Sequence, residues 1–448
     1  MTRHISSTPR RRRSLPGATL LAFQRDPIGF VSAMAAEYGD IARFQLGSQP
    51  TVLLSNPDHI RDVLVANSRI FAKGRALQRA GRLLGEGLLT SEGEVHRRQR
   101  RLVAPAFHRQ RIAAYGERMA CLAEAYQARW QPGQTVDMAA EMMRLTLRIA
   151  GDTLFGADTD AAAAEVAAAM HDLLELFSLV PLPFSETLER LPLPSVRRFH
   201  AARERLDQII YDLIARRRAS GEDRGDLLSL LLAARDVEGD GSGMSDRQVR
   251  DEALTIFLAG HETTANALAW TFYLLSQHPE VAARLRAELD AALGGCAPTV
   301  ADLPRLGYAE MVFAEALRLY PPAWIIGRRA LQPFSLGGEW FPAGTIVLMS
   351  QWVVHHDPRH YPDPYRFDPE RFRPEARAAR HKFAYFPFGG GPRICIGEAF
   401  AWMEGTLVLA SLARRWQPAL LPGHLVALQP TITLRPRHGL RMRLDARR

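Results

Sequence analysis

Apolar residues recur at intervals of three and four through most of the chain, and short alternating runs interrupt that helical period in three places. Residues 28–38 form an amphipathic helical pattern. The runs IARFQLG from Ile41 and TVLLS from Thr51 then alternate as two strands that stop at Asn56-Pro57, predicting a small sheet at the edge of a mainly helical body. Between Gln99 and Arg218 the chain is rich in Ala, Leu, Arg and Glu with helical spacing. Pro132-Gly133 breaks it, as does the proline-rich 181–194 segment, which is expected to act as a lid.

Ser245 followed by Gln248 makes a capping box that opens an apolar run ending near His278-Pro279. That run predicts a helix of about 33 residues, about 50 Å long. A second helix over 308–320 stops at Pro321-Pro322. Residues 325–349 read as strands separated by Gly337-Gly338 and Pro342-Ala343-Gly344, and an irregular stretch, 357–388, follows. After Gly397 a helix continues to about Arg415, and the tail alternates as a strand around Thr431, Ile432 and Thr433. The predicted fold class is mainly α with a smaller β-rich region. With no repeat or low-complexity linker, one catalytic domain is expected over 16–448, preceded by a basic tail over 1–15.

Composition narrows the class. Hydrophobic residues make up 47% and charged residues 23%, as in ordinary globular proteins. The apolar stretch at 254–259 is interrupted by Gly260, His261 and Glu262, well short of the roughly 18 apolar residues of a membrane span. Arg10 to Arg13 are followed by Pro16-Gly17 rather than an apolar segment, so a solvated tail and a cytoplasmic location are expected, with no membrane span. The net charge of +9 suits an acidic protein partner and does not by itself call for nucleic acid. Only Cys121, Cys296 and Cys395 occur, and none has metal-ligand spacing to another, which fits a reducing compartment.

Cys395 has distinctive surroundings. Residues 388–397 read FGGGPRICIG, a glycine-rich loop just before a helix. The N–H groups and positive dipole end of that helix would stabilise a thiolate. Gly391 and Gly397 allow unusual backbone conformations and close approach to a flat ligand, Phe388 can shield the sulfur, and Arg393 can reach a carboxylate. This run resembles F-x-x-G-x-R-x-C-x-G, the haem-binding signature of the cytochrome P-450 superfamily, with every fixed position present. The resemblance implies the fold of that family and haem b (iron protoporphyrin IX) ligated by Cys395. It also implies haem contacts from Phe388, Gly389, Arg393 and Gly397.

In the long helix stands AGHETT, residues 259–264. A glycine inside a helix costs roughly 1 kcal/mol, so Gly260 needs a reason, and one is room for a diatomic ligand. The Thr263 hydroxyl can disturb local helix bonding and hold a water. The run is similar to the family's A-G-x-E/D-T-T. That similarity implies haem contacts from Ala259 and Gly260, protonation of dioxygen through Thr263, and a link from Thr263 to solvent through Glu262. His261 is expected to be structural or solvent-facing.

Glu315 and Arg318 lie three apart on one helix face, the spacing of an ion pair. They resemble the family's E-x-x-R, and Pro364, Phe367, Pro369, Arg371 and Phe372 match P-x-x-F-x-P-x-R-F. The resemblance implies a buried scaffolding triad of Glu315, Arg318 and Arg371. His96 and Arg100 match an H-x-x-x-R pair that binds a haem propionate, with Arg328 and Arg393 completing those contacts. An exposed rim of Arg97, Arg98, Arg377, Arg380 and Lys382 would dock an acidic electron donor.

By the same resemblance, substrate is enclosed by segments 83–89, 176–184, 257–259, 323–326 and 431–432. Glu86 is the one charged residue among them, so a small apolar substrate is expected: a terpenoid, fatty acid, steroid or other secondary-metabolite scaffold. The expected function is a monooxygenase that activates O2 reductively and hydroxylates or epoxidises that substrate. No flavin or iron–sulfur cysteine pattern is present. Electrons are therefore expected from NAD(P)H through a separate ferredoxin or flavodoxin and its reductase, acting on a monomer. The competing readings are a peroxide-driven or non-oxygenating haem-thiolate enzyme, which would not need Thr263, and a non-catalytic haem sensor.

Overall fold

The structure is a computed structural model that describes residues 17–156 and 194–447. The Arg10 to Arg13 run, the 176–184 connection and all of the 181–194 segment except Pro194 lie outside the described residues. The chain divides into two compact units: Met1–Gly74 with Leu317–Arg366 and Arg373–Cys395, and Arg75–Ala316 with Phe367–Phe372 and Ile396–Arg448.

The first unit is built on the small sheet. Pro27–Tyr38 forms the predicted helix, with Pro27 at its first position and Asp26 accepting from the Gly29 N–H. Five strands line up in the order Ile41–Leu46, Gln49–Leu54, Ile346–Met349, Ile326–Ala330 and Phe71–Lys73. Only the pairing of Gln49–Leu54 with Ile346–Met349 is parallel, which puts distant parts of the chain side by side. Val52, Leu54, Val347 and Met349 bury their side chains against Ile60, Val63, Phe383 and Phe386. A separate hairpin, Phe334–Leu336 with Glu339–Phe341, turns at Gly337 and Gly338, whose φ values of 58° and 78° only glycine adopts readily in succession.

The second unit is organised around Asp246–Gln277, a 32-residue helix opened by the Ser245–Gln248 capping box. It is buried nearly all round, its apolar residues interspersed with buried polar ones, and it packs extensively against Met138–Phe155. Trp270 is fully buried, and its indole N–H donates to the Leu434 carbonyl at 3.1 Å. Arg109–Gln127, Pro194–Ser220, Pro279–Leu293 and Glu398–Arg415 add further helices. Near the C-terminus the expected strand around Thr431, Ile432 and Thr433 is instead a bend between strands Leu428–Pro430 and Leu434–Pro436. The Thr431 N–H and hydroxyl both donate to the Thr433 carbonyl, folding the three residues back. Among the described residues, no helix is long and apolar enough to cross a membrane.

Candidate active site

In the first unit the cysteine loop is held from within. Cys395 N donates to the Phe388 carbonyl at 3.0 Å, Ile394 N to Gly391 O at 3.0 Å and Gly389 N to Phe386 O at 2.9 Å. Gly391 has φ 69°, and a Cβ there would lie 1.9 Å from the Leu64 carbonyl oxygen. That carbonyl belongs to a π-helical turn, Asp62–Ala66, so the loop rests its backbone on a backbone. Gly397 differs from the expectation: its φ is −87°, an ordinary conformation, and its place is the N-cap of Glu398–Arg415. The loop's need for left-handed backbone falls on Gly389 and Gly391 instead. Cys395 is exposed.

Behind the loop, His355 is fully buried, and burial pushes its pKa well below that of a free imidazole. Its neutral Nε2 accepts from Phe386 N at 3.1 Å. Arg318, also fully buried, donates to the carbonyls of His355 and Pro364 at 2.7 Å each and of Arg366 at 3.1 Å. In the second unit Glu315 Oε1 accepts from Asp368 N at 3.0 Å and lies 3.5 Å from Arg371 Nε. Two of the three anticipated scaffold residues thus hold irregular backbone: Arg318 bonds carbonyls within 355–366 and Glu315 the Asp368 N–H within 367–372. Arg328 lies on strand Ile326–Ala330 and Arg393 in the short turn Gly391–Arg393.

The long helix carries one open strip. From Val249 to Phe272 every residue is buried except Leu258, Ala259, Gly260 and Thr263. A Cβ on Gly260 would meet nothing within 4 Å. Thr263 Oγ1 donates to Ala259 O at 2.7 Å and Thr264 Oγ1 to Gly260 O at 3.2 Å, and the segment stays α-helical. His261 is not solvent-facing: it is buried, its Nδ1 lies 2.9 Å from Phe257 O, and burial lowers its pKa. Thr146 Oγ1 donates to its carbonyl.

Glu262 is buried too, contrary to a direct link with solvent. Its Oε1 accepts from the Thr433 hydroxyl and from Arg435 Nε at 2.9 Å, with Arg435 Nη2 close by. Arg435, 27% exposed, is the part of this cluster that reaches water. Neither Thr433 nor Arg435 was anticipated, because nothing in a local sequence window joins them to a helix some 170 positions away. Glu404 was missed as well. It is buried on Glu398–Arg415 beside Thr264, and burial pushes its pKa up to about 8, so it is a neutral acid at pH 7. A lone carboxylate in the apolar run around Trp402, Leu407 and Val408 was the available signal.

His96 is buried and Arg100 half-buried on Gly93–Val103, one helical turn apart on the same face. In the anticipated basic rim, Arg98 is not free: Asp236, buried in the loop that follows Leu227–Ala233, lies 3.3 Å away, and Ser242 Oγ accepts at 2.8 Å. Arg97 is exposed and paired with Glu94, Arg377 and Lys382 are exposed, and Arg380 lies over the Tyr361 ring. Glu86 is exposed.

These features suit a haem. The first unit presents an exposed cysteine thiol in its glycine-rich loop, and in the second unit the strip of small side chains around Gly260, where a Cβ would meet nothing within 4 Å, leaves room for a flat apolar ligand. Arginines and a histidine match acidic edge groups.

The sequence model of the cytochrome P450 family matches residues 14–436. The chain is 42% identical to cyclooctatin synthase of Streptomyces melanosporofaciens, covering 94% of this chain and 91% of that protein. It is 41% identical to cyclooctat-9-en-7-ol 5-monooxygenase of the same organism, covering 90% and 87%. Pentalenene oxygenase of Streptomyces avermitilis is 38% identical, covering 94% of each. Among solved structures, the retinoic acid bound cyanobacterial CYP120A1 superposes with a TM-score of 0.86 at 28% identity, covering 97% of this chain and 98% of that one.

Proposed function

The chain belongs to the cytochrome P450 family of haem-thiolate monooxygenases, and from that premise we propose that it hydroxylates a cyclic terpenoid. The observation that carries the substrate class is the 38% to 42% identity, over nine-tenths of the chain or more, to enzymes named for such skeletons. The open strip agrees with it, since Leu258, Ala259 and Gly260 offer an apolar face. The reaction is RH + O2 + 2e⁻ + 2H⁺ → ROH + H2O.

Bound haem supplies the redox centre at which dioxygen is reduced. Cys395 would ligate its iron, and the backbone hydrogen bonds inside 386–395 fix the loop that carries the sulfur. His96, Arg100, Arg328 and Arg393 would hold the propionates by charge-assisted hydrogen bonds. Phe388, Gly389, Gly397, Ala259 and Gly260 are the residues that would contact the haem. Glu315, Arg318 and Arg371 act only as scaffold.

Thr263 and Glu262 handle protons. The Thr263 hydroxyl rests on the Ala259 carbonyl and keeps its lone pairs for a donor in the open strip. Glu262 is anchored by Thr433 and Arg435, so protons reach it past the half-open Arg435 rather than from bulk water directly. General acid delivery of this kind contributes about 100- to 10,000-fold. Electrons come from NAD(P)H through a ferredoxin or flavodoxin and its reductase, docked at exposed cations such as Arg377 and Lys382, and the enzyme works as a cytoplasmic monomer.

The test is turnover of a panel of cyclic terpenes, fatty acids and steroids with NADPH, a ferredoxin and its reductase under isotopically labelled oxygen. One labelled oxygen in a terpenoid product is expected. Turnover confined to fatty acids or steroids overturns the substrate class, and turnover that persists without oxygen but with peroxide overturns the mechanism.

A further inference from the structure

Residues 85–90 make a tight turn after the helix Arg75–Leu84. Thr90 closes it, its hydroxyl donating to Gly85 O at 2.7 Å while Thr90 N and Ser91 N donate to Gly87 O. The turn lies directly on the long helix. A Cβ on Gly85 would fall 2.2 Å from the Asp251 carboxylate, and one on Gly87 would fall 2.2 Å from Thr255 Oγ1. Glycine at both positions is what permits the approach.

Two consecutive acids of that helix hold the turn by its backbone. Glu86 N donates to Asp251 Oδ2 and Leu88 N to Glu252 Oε2, each at 2.9 Å. Asp251 is 4% exposed and Glu252 0% exposed, so both bonds are shielded from water. Gln99 Nε2 secures the same turn from the other side by donating to Glu86 O. The second oxygen of Asp251 accepts from Arg250 Nη1 at 2.8 Å, and Arg250 Nε donates to Asp207 Oδ1 at 2.7 Å. Asp207 belongs to Pro194–Ser220. A continuous set of polar contacts therefore runs from the turn through Asp251 and Arg250 to another helix. Thr255 precedes Ala259 by one helical turn, so the 85–90 turn borders the open strip on its N-terminal side.

We propose that Asp251 and Glu252 are positioning residues that latch the 85–90 turn beside the substrate strip, and that the Arg250–Asp207 pair couples this latch to helix 194–220 so that the two release together. The link to substrate entry rests on the reading of the strip given above; the latch does not. Carboxylates gripping main-chain N–H groups suit a reversible closure, because the grip depends on the path of the turn and not on its side chains.

Hydrogen–deuterium exchange of the haem-loaded protein without substrate tests it, comparing wild type with Asp251→Ala, Glu252→Gln and Asp207→Asn. Loss of a bond to a charged group predicts exchange of the 85–90 amides faster by about ten-fold in Asp251→Ala. Glu252→Gln keeps an acceptor oxygen but loses the charge, so 85–90 exchange should rise less than in Asp251→Ala. Asp207→Asn touches neither the turn nor the strip, yet exchange should rise in both 194–220 and 85–90. A rise in 194–220 alone overturns the coupling, and unchanged 85–90 exchange in Asp251→Ala overturns the latch. If Asp251→Ala does not fold, Asp207→Asn still decides. Stopped-flow binding of imidazole should show association and dissociation rates both rising in Asp207→Asn with Kd little changed; lower stability with unchanged rates means a structural role and overturns the proposal. Because exchange is read without substrate, failure of the terpenoid assignment leaves these outcomes standing.

Discussion

Replacing Gly391 with alanine should destabilise the fold far more than the same change two residues earlier. Both glycines have positive φ, 74° at Gly389 and 69° at Gly391. An alanine held in that region costs about 1–2 kcal/mol. At Gly389 that is the whole penalty, since an added Cβ meets nothing within 4 Å. At Gly391 the Cβ would sit 1.9 Å from the Leu64 carbonyl oxygen and 2.8 Å from its carbon, both backbone atoms of a π-helical turn that has no rotamer to change. Moving that turn adds about 1–3 kcal/mol, by analogy with overpacked cores. Gly389→Ala should therefore cost about 1–2 kcal/mol and Gly391→Ala about 2–5 kcal/mol, a sizeable part of the roughly 5–15 kcal/mol that a folded domain holds in reserve. Urea denaturation of the two variants beside wild type measures the difference, with haem content of the purified proteins as a second readout. Equal destabilisation by both variants would refute the claim that the π-turn carbonyl dictates glycine at 391.

Gly260→Ala should do the reverse to stability and harm activity. The methyl meets nothing, and alanine is favoured over glycine in a helix by about 1 kcal/mol, so the denaturation midpoint should rise. Crowding of the open strip should lower turnover about ten-fold or more, and full activity in this variant would show that the space above Gly260 is not used. Glu404 should set a pH slope. Its carboxyl keeps its proton in the folded chain up to about pH 8, whereas the unfolded carboxyl releases it near its ordinary value of 4.5, so stability falls as pH rises between these values. The fall is on the order of 1 kcal/mol per pH unit and should vanish in Glu404→Gln, which denaturation midpoints at pH 5 to 8 will show; parallel curves would contradict it. Finally, Cys395→His should abolish the red-shifted carbon-monoxide Soret band of the reduced protein, and a retained band would remove Cys395 from the iron.

Local patterns were legible wherever the physics is local. The Ser245–Gln248 box marked the start of the long helix because capping involves residues three apart. Gly337-Gly338 marked the hairpin turn because its φ values exclude other residues. Apolar alternation misled at 431–433, where a strand-like pattern folds into a bend whose polar groups bond within three residues. Gly397 was assigned a conformational freedom that the loop draws from Gly389 and Gly391 instead.

What the sequence determined alone is chemistry that travels with a motif: a cysteine in a glycine-rich loop before a helix, and a glycine, an acid and a threonine inside an apolar one. Each depends on neighbours within about ten positions, so each is written in a single window of the chain. Tertiary structure decided who holds these groups. Arg435 and Thr433 grip Glu262, the Leu64 carbonyl enforces glycine at 391, and Asp251 and Glu252 fasten the 85–90 turn. Those partners lie far away along the chain, and burial makes them strong: with water excluded, a carboxylate must find its donors wherever the fold brings them.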